Sequence, residues 1–144
     1  MNIQANIRSL RQTVVEYLSA DQALRWSLGL VYVWFGFLKL FGLSPVDSLI
    51  QRFYAPIVSI PLYCVLTAFE VLVGILLVFG WKKKIMALLI MGHLLGTMCI
   101  LITAPEIAYE PFAPILSMEG EFVAKNLVLL AAAYAIFAGP TNSN

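Results

Sequence analysis

Residues 61–80 read PLYCVLTAFEVLVGILLVFG, an unbroken apolar run with a single carboxylate, Glu70, at its middle. Twenty residues at ~1.5 Å rise make a helix ~30 Å long, the thickness of a bilayer's hydrocarbon core. An ionised carboxylate at the midplane costs at least ~2.5–3.5 kcal/mol, so a chain that keeps one there must face it with something that compensates. The fold and the chemistry both follow from what Glu70 meets.

Three further apolar runs accompany this one, over about residues 24–43, 85–104 and 122–139. Of the 144 residues, 61% are hydrophobic and only 12% are charged, about half the charged fraction of a soluble domain. Four spans use most of the chain, which predicts an all-α membrane protein: a single domain over 1–144 built as a bundle of four transmembrane helices. The net charge of +1 says little, because its distribution matters more than its sum; the expected partner is the lipid bilayer, and no nucleic acid is expected.

Ahead of the first span, Ile3, Ile7, Leu10, Val14 and Leu18 recur at helical spacing, with Arg8, Arg11 and Glu16 elsewhere on the wheel. That pattern predicts an amphipathic interfacial helix over 1–20 rather than a cleavable leader, which needs an apolar core these residues lack. Residues 19–22, SADQ, supply N-cap chemistry for the next helix. The long connection after the first span is interrupted by Pro45 and Pro56, and its segment VDSLIQRFY reads as a short interfacial helix. Arg8, Arg11, Arg25, Lys82, Lys83 and Lys84 flank one side of the membrane, and Arg52 alone flanks the other. The positive-inside rule then places both termini in the cytoplasm, and a bacterial inner membrane is the simplest location.

Within the spans, Gly29, Tyr32, Gly36 and Lys39 share one helical face, and Thr67, Glu70, Gly74 and Leu77 share another. Small residues along a face let a second helix approach closely. The three-lysine turn between the second and third spans makes them an antiparallel hairpin. His93 lies near the centre of the third span, at the depth of Glu70, while Lys39 and Lys125 both lie ~9 Å toward the outer side. These four ionisable groups are expected to cluster in a polar pocket in the outer half of the bundle, open to the outside or to the outer leaflet. Glu70 and His93 are the candidate proton-handling, catalytic pair. Lys39, Lys125 and Asn126, with Glu106 and Glu121 at the outer helix ends, are the candidate ligand-binding residues. The bland alternative is that the lysines snorkel outward and Glu70 only fixes packing.

One histidine and two cysteines on different spans give no metal-ligand spacing. Cys64 and Cys99 each lie six residues outward of Glu70 and His93 respectively, and six residues turn each helix ~600° in the same sense. If Glu70 and His93 face each other, the cysteines point apart, so the pair and a Cys64–Cys99 disulfide exclude one another. The pair is the favoured arrangement.

Two patches carry a family resemblance. Residues 25–45, RWSLGLVYVWFGFLKLFGLSP, are similar to the first helix of DoxX-like membrane proteins, matching at Gly36 and Lys39. The stretch TAPE…LSMEGEFVAKNLVLLAAA resembles the YkgB-like branch of that superfamily, through Pro105, Glu106, Ser117, Gly120, Phe122, Lys125 and Asn126. Asn126 stands where an aspartate is common, which removes a charge beside Lys125. The resemblance implies a four-helix bacterial inner-membrane protein with a redox role, since relatives include a subunit of a thiosulfate:quinone oxidoreductase and proteins of oxidant resistance. On that basis the expected function is redox-linked, with a quinone or a small anionic or oxidised species in the pocket and quinone as the candidate cofactor. The competing expectations are a non-catalytic anchor for a redox-enzyme partner and a small-solute transporter, which with four helices would require a homo-oligomer.

Overall fold

The computed structural model describes residues 20–44 and 60–139. The interfacial helix expected before Ala20, the segment VDSLIQRFY and the polar tail lie outside the described residues.

Among the described residues, seven helices follow one another: α1 (Ala20–Leu40), α2 (Ile60–Val78), α3 (Lys83–Met98), α4 (Ile100–Thr103), α5 (Pro105–Ala108), α6 (Met118–Ala124) and α7 (Asn126–Ala138). Helices α3 and α4 run on through Cys99, and α6 and α7 through Lys125, both of which keep right-handed helical angles. Four helical rods are therefore long and apolar enough to cross a membrane: Ala20–Leu40, Pro61–Val78, Lys83–Thr103 and Met118–Ala138. Among the described residues there is no strand, only an isolated bridge between Tyr109 and Leu116. The all-α, four-span architecture expected from the apolar runs is the architecture found, with each rod shifted by a few residues.

Those shifts have local causes. The first helix is described from Ala20, within the SADQ stretch, and ends at a glycine cap rather than running to residue 43. Gly42 adopts φ 63°, its N–H donates to the Lys39 carbonyl (3.2 Å), and the Leu43 N–H donates to that of Leu38 (2.9 Å). Helix α2 ends the same way at Gly80, with φ 76° and donation from Gly80 to Leu77 and from Trp81 to Leu76. This left-handed cap satisfies the last carbonyls, and it suits glycine because a side chain there would be strained.

The rods associate as two pairs, α1 on α2 and α3 on α7. The α1–α2 crossing is close because both helices present glycine at it. A Cβ at Gly29 would lie 2.7 Å from the Gly74 carbonyl oxygen, and one at Gly74 would lie 2.7 Å from that of Gly29. Leu28, Tyr32, Val73, Leu77, Ile90 and Ile136 fill the space between the pairs, whereas Leu30, Trp34, Leu72 and Leu88 are exposed, as a bilayer requires of its lipid face.

Charges pin the pairs together at the end that carries the lysine turn. Asp21 accepts from Arg25 Nε (3.0 Å) and from Lys83 Nζ (2.9 Å), while Arg25 Nη1 reaches the Val78 carbonyl (3.5 Å). One carboxylate at the start of α1 thus ties down the start of α3 and, through Arg25, the end of α2. Asp21→Asn removes the charge but keeps the shape, and is expected to cost about 1–2 kcal/mol. Thermal melting of the purified protein in detergent checks this.

At the opposite end, Ser117 organises the turn into the last rod. Its side chain accepts from the Gly120 N–H (2.9 Å) as an N-cap and donates to the Ile107 carbonyl (2.6 Å), while its own N–H donates to Ala108 (3.0 Å). Any Cβ at Gly120 would run into the Ala108 carbonyl, so the serine and the glycine of this stretch serve the turn itself.

Candidate functional site

The cluster at the bundle centre is drawn from three helices. Tyr32, Gly36 and Lys39 recur at four- and three-residue intervals along the buried face of α1. Thr67, Glu70 and Gly74 recur at the same intervals on the buried face of α2. With glycine at the crossing, the backbones lie near enough for Lys39 to turn back along the helix and place Nζ 2.5 Å from Glu70 Oε1. From α3, His93 brings Nε2 to 3.0 Å from the same oxygen. A ring nitrogen at that distance from a carboxylate carries its hydrogen there, so Oε1 accepts twice.

The arrangement is closed. The side chains of Lys39, Glu70 and His93 are only 8%, 5% and 13% exposed, so the three groups are folded onto one another rather than set around an open, outward-facing pocket. Two aromatic rings enclose the imidazole: Tyr32 meets it edge-on at 5.8 Å, and Phe69 lies tilted at 5.9 Å. The Tyr32 hydroxyl donates to the Ile90 carbonyl on α3 (3.4 Å). Glu70 Oε2 is buried and has no hydrogen-bond partner. A buried carboxylate oxygen without a donor costs about 1–3 kcal/mol or more, so the cluster holds one polar valence unspent.

Of the residues named from sequence, Lys39, Glu70 and His93 are brought together. Lys125 is not among them: it is 74% exposed and pairs across one turn with Glu121 at 3.5 Å, itself 61% exposed. Glu106 is exposed in the first turn of α5. Asn126 faces α3 instead, donating from Nδ2 to Thr97 Oγ1 at 3.0 Å. The expected set of four ionisable groups is thus a set of three, and Lys39 does not snorkel outward but turns onto Glu70. Cys64 and Cys99 are free and exposed, in keeping with the argument that a Glu70–His93 contact and a disulfide exclude one another. The spacing of the polar residues does not mark Tyr32 and Phe69 as neighbours of the histidine. Their signal was present, in an aromatic two turns before Lys39 on its own face and another adjacent to Glu70.

Four membrane-crossing rods around a buried lysine–glutamate–histidine cluster define a small multi-pass membrane protein. The family model of DoxX matches residues 20–103, more than half of the chain, and the chain belongs to the DoxX family. That match contains Lys39, Glu70 and His93 and stops short of Lys125 and Asn126. No curated protein and no solved structure matches the chain.

Proposed function

We propose that this protein is a redox-linked component of a bacterial inner membrane, on the YkgB-like branch of its family, with both termini in the cytoplasm. In this reading it binds a quinone head group or a similarly small, polar oxidised species at the Lys39–Glu70–His93 cluster. The observation that supports it most is that three ionisable side chains from three helices meet inside the bundle around one carboxylate. Intramembrane ionisable groups are expensive and are kept for function far more often than for packing. Lys39 is already paired with Glu70, so the cluster suits a neutral carbonyl- or hydroxyl-bearing head group better than a free anion. Histidine and glutamate in contact can hand a proton to or from such a group at neutral pH.

The test uses cells in which the protein confers survival of an oxidant such as hypochlorite. Lys39→Met/Glu70→Met removes the pair together and so leaves no unpaired charge. It is expected to abolish protection at unchanged membrane levels, whereas Lys125→Ala is expected to protect like the wild type. Protection by the double variant would remove the cluster from the function. Loss of protection on replacing Lys82 and Lys84 instead would favour a non-catalytic anchor for a redox-enzyme partner.

A further inference from the structure

Two glycines flank His93 on α3, and neither packs against anything. A Cβ at Gly92 or at Gly96 would meet no atom within 4 Å, and both positions are exposed. This contrasts with Gly29 and Gly74, where the absent side chain is what lets two helices touch. On the helical wheel Gly92 and Gly96 stand within ~100° of His93, on the side away from buried Ala87, Ile90 and Leu94. His93 therefore marks the border between the packed face of α3 and its lipid face. Across that border on α2 stands Phe69, 5.9 Å from the imidazole. The most exposed member of the cluster, at 13%, is His93; beside it on the lipid face stand Gly92 and Gly96, which have no side chains, and one turn back Leu89, 41% exposed.

The second observation lies on the carboxylate that His93 touches. Glu70 is 4% exposed, and its Oε2 has no hydrogen-bond partner. Lys39 and His93 both approach Oε1, so the buried atom left with no partner at all is an acceptor, Oε2, and a ligand that satisfies it must bring a donor.

Together these features lead us to propose that a lipid-borne molecule, an apolar body bearing a hydroxyl group, reaches the cluster sideways from the bilayer. It passes between Phe69 and the bare backbone at Gly92 and Gly96, and its hydroxyl donates to Glu70 Oε2. The inference rests on the reading that the cluster binds a ligand, and adds the ligand's hydrogen-bonding character and its route.

The chain contains one histidine, so carbethoxylation by diethyl pyrocarbonate, localised by mass spectrometry to the peptide and residue that carry it, is read at His93 separately from any lysine, tyrosine or cysteine adduct. The protein is reconstituted in vesicles and treated with the reagent in the presence of a long-chain alkylphenol or of its methyl ether, which has the same body but no donor. The phenol is expected to slow modification of the wild type roughly tenfold more than the ether does, the factor that one hydrogen bond to a charged group supplies. Gly92→Leu and Gly96→Leu, whose side chains enter open space, are each expected to slow modification several-fold without ligand and not to lower the melting temperature. Equal protection by phenol and ether, or by neither, would overturn the donor assignment without recourse to any variant. Unmodified His93 in the wild type, or wild-type rates in both leucine variants, would overturn the lateral route. None of these readouts depends on oxidant survival, so failure here and failure of the redox reading are told apart.

Discussion

Lys39→Met is expected to destabilise the protein by about 3–5 kcal/mol, as happens when one partner of a buried ion pair is removed and the other stays charged. Glu70 is left inside the bundle with His93 alone on Oε1 and still nothing on Oε2. Adding Glu70→Leu to Lys39→Met is expected to recover most of that loss, because two apolar side chains of similar volume remove the uncompensated charge as well. The double variant would then be far closer to the wild type than the single one, which is a strongly non-additive pair. Reversible unfolding in mixed micelles, followed by circular dichroism, measures both. Additive losses would mean that Lys39 and Glu70 do not compensate one another in the bilayer.

The second large effect sets glycine against glycine. Gly29→Ala and Gly74→Ala each place a methyl group 2.7 Å from a backbone carbonyl of the partner helix. The crossing must widen, at a cost of about 1–3 kcal/mol, the usual penalty of overpacking. The same change at Gly92 or Gly96 meets open space and is expected to stabilise the helix by up to about 1 kcal/mol through intrinsic propensity. One substitution made at four positions should thus change sign according to whether the position faces the α1–α2 crossing or the lipid. The same unfolding assay decides it, and a uniform sign at all four positions would contradict the packing described above.

Much of this was legible in the sequence, for reasons that differ between the helices. The spans follow from length and hydropathy alone, and the buried face of α1 follows from Gly29, Tyr32, Gly36 and Lys39 recurring at helical spacing. Glu70 and His93 could be matched by depth because a short turn fixes the register of α2 against α3. Lys125 could not be placed in the same way. The last rod carries apolar residues all round from Leu127 to Phe137, so no stripe announces which side faces inward, and its rotation is set by contacts such as Phe122 on Phe35 and Asn126 on Thr97. Nor does the sequence say which way a lysine's flexible stem will turn: Lys39 and Lys125 are alike in depth, and only the first has a carboxylate within reach across the glycine crossing.

The pairing of α1 with α2 also bears on how such a chain enters a membrane in the first place. Lys39 and Glu70 are the two groups most hostile to hydrocarbon, and both belong to the half of the bundle that leaves the ribosome first. Their contact needs nothing from α3 or α7, because the glycine crossing that brings them together is internal to the first two helices. The two helices can therefore enter lipid together without net charge at the Lys39–Glu70 contact. The histidine then arrives at a carboxylate that Lys39 already compensates, so the charge balance of the first two helices rests on the lysine and not on His93.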